Sequence, residues 1–346
     1  MTTAANQNFG SIQILRAVAA LFIFIYHVCD RLAYEYGYFD HNVFVIGPIG
    51  VDIFFVVSGF IICHATERSQ AIGPYFVKRI TRVLPLYYVL TTGILLIAFI
   101  APQLLGSTDA NLLDYVRSLA FIPYERAVGD VKPLLFLGWT LNYEMFFYVL
   151  FAVALAWGRR RVLVISLMIS GLYALGRIIK TDSVIFNFYT DPFIIDFVYG
   201  CIIYAAYQHF GDRFKVLGRY WPLAAALVIG QNFVHVPLPR EISAGVPAAL
   251  LLATLLTVQL PRWKPVQFLE DLGDASYSFY LIHPYVMQLV LKVVIGVLGV
   301  SLFSVSLAFS IVTVATVVAA LLMFRYFEMP ANRILRDWLL KPSPDA

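Results

Sequence analysis

The chain has 346 residues, of which 60% are hydrophobic, 16% aromatic and only 13% charged, with a formal net charge of +4. Soluble domains hold about 25% charged and about 45–50% apolar residues, so this chain cannot clothe itself in polar surface and is expected in a membrane. Disorder, coiled coil, collagen and small disulfide scaffolds are excluded on the same grounds, and no Lys/Arg cluster points to nucleic acid.

A membrane barrel would alternate polar and apolar residues over about 10 positions per strand, whereas the apolar runs here are continuous for about 18 to 24. About ten runs approach the roughly 20 residues that a crossing helix needs. They cover residues 12–29, 44–64, 83–101, 134–157, 162–179, 190–208, 220–237, 243–260, 275–298 and 302–325. The expected fold is an all-α polytopic bundle of about ten transmembrane helices. Cys29, Cys63 and Cys201 lie in or beside apolar runs and are odd in number, which suits packing rather than a disulfide framework or a zinc site.

The first run carries Arg16 and His27. Eleven positions at about 100° each close to within about 20° of three turns, so the two share a face roughly 16 Å apart along the axis. That span is comparable to an extended pantetheine arm. Two readings fit each residue: Arg16 anchors to lipid phosphates or holds a ligand, and His27 packs between helices or acts as a base. The loop that follows has Tyr34, Tyr36, Tyr38 and Phe39 among Glu35, Asp40 and His41, which suits sugar rings and an interfacial aromatic belt nearly alike.

The second run contains Asp52. A charge at the centre of a span costs at least about 2.5–3.5 kcal/mol on insertion scales. Asp52 therefore either sets the tautomer of a histidine or makes a structural hydrogen bond at a helix end. In the connection 73–84, Phe76, Ile80, Val83 and Leu84 share one helical face, opposite Lys78, Arg79 and Arg82, with Pro85 near the start of the third span. This basic trio can hold phosphates or anchor to anionic lipid.

In the long connection 102–133, Leu112, Leu113, Val116, Leu119 and Ala120 have helical spacing and predict a short surface helix. The fourth run contains Trp139-Thr140-Leu141-Asn142-Tyr143-Glu144, which puts Glu144 in the outer half at about the depth of His27 and Asp52. Arg159, Arg160 and Arg161 read mostly as a lipid anchor, and Asp196 and Glu328 are further ionisable groups at span edges. In the ninth run Pro284 removes the hydrogen bond to the Tyr280 carbonyl and is expected to kink the helix. The adjacent His283 then either meets a ligand together with Tyr277 and Tyr280 or satisfies the broken backbone.

With the N-terminus in the cytoplasm, most of the 25 basic residues collect on that side, among them Arg16, Arg68, Lys78, Arg79, Arg82, Arg159 and Lys341. The positive-inside rule thus predicts both termini in the cytoplasm and an even number of spans. A single domain, 1–346, is expected, with a membrane core at about 10–335 and a short cytoplasmic tail at 336–346. No cleavable signal peptide is expected, since Arg16 lies inside the first apolar run.

These motifs occur together in one order: Leu15-Arg16-Ala17 through Tyr26-His27, Gly50-Val51-Asp52 through Phe60, Phe76 through Pro85 with Arg79 and Arg82, Trp139 through Glu144, Ser276-Tyr277 with Tyr280 and His283, and Phe327-Glu328-Met329-Pro330. In that combination the chain resembles the acyltransferase-3 family of integral membrane O-acyltransferases, and most closely its exopolysaccharide-production acetyltransferase branch. The resemblance implies transfer of an acyl group, usually acetyl from cytosolic acetyl-CoA, to a hydroxyl of a cell-envelope glycan at the outer face of the inner membrane. The family's arginine, ten residues, histidine pattern falls on Arg16 and His27, its Arg-x-x-Arg motif on Arg79 and Arg82, and its acidic residue on Glu144.

The resulting expectation has His27 as general base, with Asp52 or Glu144 orienting it. Donor binding is assigned to Arg16, Lys78, Arg79, Arg82, Tyr277, Tyr280 and His283, and acceptor binding to Tyr34, Tyr36 and Trp139. No metal and no permanently bound cofactor are expected; the partners are acetyl-CoA, a glycan or lipid-linked oligosaccharide, and membrane lipids. The competing class is a transporter or flippase that uses intramembrane His, Asp and Glu as a proton relay. It lacks support from an internal repeat or from a second broken helix to match Pro284.

Overall fold

The computed structural model describes residues 10–67, 70–101, 111–126, 129–234 and 237–340. Arg68, Lys341 and residues 102–110 of the long connection, on which parts of the charge and topology reading rest, lie outside these. The described residues are helical with no β-strand: α1 (Gly10–Tyr34), α2 (Ile49–Ala65), α3 (Ile72–Ile100), α4 (Leu112–Leu119), α5 (Trp139–Ala154), α6 (Arg161–Ile178), α7 (Val184–Tyr189), α8 (Ile194–Phe210), α9 (Trp221–Gly230), α10 (Val246–Leu255), α11 (Lys264–Asp274), α12 (Ser276–Leu298), α13 (Leu302–Met323) and α14 (Met329–Leu339). Tight 3-10 segments at Phe136–Gly138, Leu155–Arg160 and Gly211–Tyr220, and π-helical ones at Glu241–Gly245 and Phe324–Glu328, join neighbours into longer runs.

Six of these continuous stretches are long and apolar enough to cross a membrane, and α2 and the run Glu241–Leu255 are shorter apolar helices. Every apolar run expected from the sequence overlaps one of them. Large apolar side chains such as Leu167, Ile178, Val297 and Val314 stand more than half exposed on these helices. Water does not tolerate so broad an apolar coat, and lipid does. The protein is a multi-pass membrane protein.

The expected surface helix is α4, begun by the Asn111 side chain, which accepts from the Asp114 backbone N–H at 2.7 Å. One difference concerns the third span. The basic stretch 73–84 is not a separate amphipathic connection but the first turns of α3, which runs unbroken through Pro85 for about 43 Å at 1.5 Å per residue.

The described residues fall into two compact units, Met1–Phe60 with Tyr199–Leu322, and Ile61–Val198 with Met323–Ala346. In the first, α1 packs against α10, α11 and α12. Ala17, Ala19 and Ala20 lie buried on α1, and Gly273 at the end of α11 meets the Gln13 backbone so closely that any Cβ would collide with it. Small residues bring the helix backbones together, as in membrane helix pairs generally. In the second unit α3 packs on α4, α5 and α14, and α5 on α6. Thr81 of α3 donates to the Asn332 side chain of α14 at 3.0 Å.

Candidate active site

The first unit brings two of the costly residues into direct contact. His27 Nδ1 on α1 lies 2.8 Å from His283 Nε2 on α12, with the two rings nearly parallel. His283 is fully buried and His27 half-buried. Phe24, one turn before His27, packs edge-on against both Phe279 and His283 and closes the contact from the side.

Hydrogen-bond chemistry then sets the protons. His283 Nδ1 faces the Phe279 carbonyl at 3.3 Å, and a carbonyl only accepts. With that proton on Nδ1, Nε2 of a neutral His283 is an acceptor, so His27 Nδ1 is the donor. In that tautomer a neutral His27 carries its proton-accepting nitrogen at Nε2. His283 also interacts with the Tyr280 carbonyl, whose helical donor Pro284 cannot supply, and α12 continues unbroken through that proline. The backbone reading of His283 thus holds, and the same ring pairs with His27.

Arg16 is buried at 9% exposure, and its Nη1 donates to Gln13 Oε1 at 2.9 Å. Asp52 is completely buried and pairs with Arg240 Nη2 at 2.6 Å. Sequence reasoning had left Arg240 in a connection, where nothing in its neighbourhood marked it as a partner for a residue 188 positions away. Tyr280 packs near His283 with ring centroids 6.1 Å apart, and Tyr277 is half-buried one turn earlier. Tyr34 is 72% exposed at the end of α1, beside the Arg31–Glu35 pair; burial and then Glu35 push the Tyr36 phenol up from its ordinary value.

Glu144 belongs to the second unit, where it accepts a very short hydrogen bond from the buried Tyr148 hydroxyl. The backbone of Tyr148 accepts from Tyr75 of α3 at 3.2 Å, and Arg79 follows Tyr75 by one turn. The charges of Arg79 and Arg82 reach the Tyr148 hydroxyl. This cluster places Glu144 close in level to the arginine pair, which the sequence had assigned to the opposite end of the spans. Arg79 Nε is buried and makes no hydrogen bond, while Lys78 is exposed on α3.

Arg161 corrects the lipid-anchor reading of its triplet. It is 5% exposed, and it donates through Nε to Thr66 Oγ1 at 3.2 Å, through Nη2 to the Cys63 carbonyl at 3.5 Å and through Nη1 to the Gly158 carbonyl at 3.4 Å. It satisfies the C-terminal end of α2, where helix carbonyls lack intrahelical donors.

Trp139 lines a cavity of about 720 Å³, together with Tyr143, Phe188 and Phe193. Tyr143 and Phe188 stack at 4.1 Å, and Trp139 meets Phe193 at 5.1 Å. Gly138 lets this end of α5 approach Tyr87, whose ring would lie 2.7 Å from any added Cβ. Ser118 ties down the residues on either side of the lining stretch from Glu125 to Lys132: its hydroxyl bonds Tyr124 at 3.0 Å and accepts from the Leu134 N–H at 2.9 Å. Burial pushes the Tyr124 phenol up, so it stays protonated in this network. Of the cavity residues only Trp139 was singled out from sequence; the signal overlooked was Phe188-Tyr189-Thr190-Asp191-Pro192-Phe193, an aromatic cluster at the start of the sixth run.

Comparisons with known proteins follow this geometry. A family model for an acyltransferase domain, acyltransferase-3, matches residues 9–325. The chain is 34% identical to the exopolysaccharide production protein ExoZ of Rhizobium meliloti (strain 1021), covering 72% of this chain and 79% of that protein. It is 24% identical to the acyltransferase MdmB of Streptomyces mycarofaciens over 93% of this chain and 91% of the other. It is 27% identical to the peptidoglycan O-acetyltransferase OatA of Listeria monocytogenes serovar 1/2a (strain ATCC BAA-679 / EGD-e), over 58% of this chain and 34% of that protein. No solved structure matches it significantly. Matched over residues 9–325, this polytopic helical chain belongs to the acyltransferase-3 family of membrane O-acyltransferases.

Proposed function

We propose that the protein moves an acetyl group, or another short acyl group, from cytosolic acetyl-CoA to a hydroxyl of a cell-envelope or exopolysaccharide glycan, in the inner membrane and with both termini cytoplasmic. The observation that carries this reading is the chain from His27 Nδ1 to His283 Nε2 at 2.8 Å and from His283 Nδ1 to the Phe279 carbonyl at 3.3 Å. It leaves a basic lone pair on His27 Nε2.

In the proposed reaction the acceptor hydroxyl oxygen attacks the thioester carbonyl carbon while His27 Nε2 takes its proton. The tetrahedral adduct then collapses, the carbon–sulfur bond breaks, and the leaving thiolate recovers that proton from His27. The products are a glycan O-acyl ester and coenzyme A thiol. As His27 charges, its Nδ1–H stays on His283, which holds the ring in one orientation. Arg79, with an unused buried N–H, and Arg82 supply the positive charge for the donor's phosphates, with Lys78 exposed beside them. Arg16, on the helical face of His27, contributes to the same donor binding. Asp52 acts through Arg240, to which it is bound, and Glu144 through Tyr148.

Purified protein in detergent, given acetyl-CoA and envelope glycan, should release coenzyme A thiol and lose that release on His27→Ala. Equal thiol release by wild type and His27→Ala at equal folded protein would reject His27 as the base. Movement of labelled glycan across vesicle membranes without any thiol release would favour the transport class instead.

A further inference from the structure

The second unit holds a cavity whose lining has a definite chemical character. Its volume of about 720 Å³ lies within the roughly 300–1,000 Å³ typical of small-molecule sites. One wall is aromatic: Trp139, Tyr143, Phe188 and Phe193, with Tyr143 3% and Phe188 9% exposed. These rings are locked by their own contacts, so their faces are preformed rather than induced.

The rim is polar and acidic. Glu125, Asp130, Asp182 and Asp191 line it, with Lys132 the cation among the described lining residues. Lys132 is already bound to Asp130 at 2.7 Å. Asp191 is oriented by the Phe193 N–H at 3.1 Å, and Asn187 by its bond to the Thr181 carbonyl at 2.7 Å. Carboxylates accept from hydroxyls and amide N–H groups, whereas a ligand phosphate, sulfate or uronate meets like charge here. That sign excludes the phosphate-rich coenzyme from this cavity. It also selects among glycans, because aromatic faces bind the apolar C–H side of a sugar ring while the acidic rim takes its hydroxyls.

We propose that this cavity is the acceptor site and that it takes an uncharged glycan, of hexose or N-acetylhexosamine units, while rejecting anionic sugars. The inference rests on the reading of the protein as a glycan O-acyltransferase, but it concerns binding and can be measured without turnover. No group-transfer step is assigned to the cavity residues; they hold the acceptor.

The test uses full-length protein in lipid nanodiscs and three probes of matched length: cellotetraose, chitotetraose and tetragalacturonate, followed by intrinsic fluorescence and by saturation-transfer NMR. Wild type should bind at least one neutral probe about tenfold or more tightly than the anionic one, a difference of about 1.4 kcal/mol. Trp139→Ala should lose that binding about tenfold or more, and the milder Trp139→Phe should keep most of it. The exposed Asp182→Lys, which leaves the aromatic wall untouched, should narrow the gap by improving tetragalacturonate binding. His27→Ala should bind the neutral probe like wild type although it cannot transfer. Absence of binding by both neutral probes, equal affinity for the anionic probe, or neutral-probe binding unchanged in Trp139→Ala would each overturn the assignment. Transfer lost in His27→Ala with no glycan binding at the cavity would reject the cavity alone. Binding as described with transfer unaffected by His27→Ala would reject the catalytic reading alone.

Discussion

At the scale of the residue, the contact between the half-buried His27 and the fully buried His283 gives two costly imidazoles a directed pairing. Each proton on the chain is fixed by an acceptor that has no alternative, ending at the Phe279 carbonyl. In the proposed mechanism His283 positions His27, and its loss should be felt through His27. His283→Ala should lower kcat by about tenfold or more, part of the 10²- to 10⁴-fold associated with general base catalysis, while KM for acetyl-CoA changes little. His283→Gln, whose carbonyl oxygen can accept from His27 Nδ1–H, should recover part of the loss. A pH–rate profile completes the test: removing the acceptor should move the His27 limb, whereas a merely structural role for His283 would lower the profile without displacing it. His27 was visible in the sequence because an ionisable group in an apolar run is expensive. Its partner was not, because pairing across 256 positions depends on how α1 and α12 pack and leaves no periodic trace.

At the scale of the element, two helices show where local pattern reading holds and where it stops. The amphipathic pattern from Phe76 to Leu84 was legible, but the sequence did not show that it continues into the span as one helix, since Pro85 reads as a boundary and is carried inside α3 instead. That continuity sets Arg79 and Arg82 one to two turns beyond Tyr75 and opposite the Tyr148 end of α5. Arg79→Ala and Arg82→Ala should each weaken acetyl-CoA binding measured by calorimetry, by about 1.5–3 kcal/mol if one charge-assisted hydrogen bond is lost. Unchanged donor affinity would return these arginines to lipid anchoring. Arg161 gives the converse lesson, because three successive arginines look alike in sequence and only one turns inward, to the end of α2. Arg161→Ala should destabilise the protein by about 1–3 kcal/mol in detergent unfolding, by removing its buried hydrogen bonds to Thr66 Oγ1 and the Cys63 carbonyl. The exposed Arg160→Ala should stay within about 0.5 kcal/mol.

At the scale of the whole molecule, composition alone identified the solvent: a charged fraction of 13% leaves lipid as the medium for the exposed Leu, Ile and Val of α6, α12 and α13. The helical class and the position of nearly every apolar run followed from residue pattern, because each helix in lipid must satisfy its own backbone and so needs a continuous apolar stretch. What composition could not reveal was the partners of the acidic groups, Arg240 for Asp52 and the Tyr148 hydroxyl for Glu144, nor the assembly of an aromatic cavity from Trp139 and residues some fifty positions later. Those are products of tertiary packing, and the sequence marks only their individual members. The account centres on His27 as the base of O-acyl transfer, and the most direct measurement is mass spectrometry of envelope glycan from cells producing wild type or His27→Ala at equal membrane levels. The account predicts a glycan acyl mass present with wild type and reduced by about 10²-fold or more with His27→Ala; acylation near the wild-type level in that variant would contradict it.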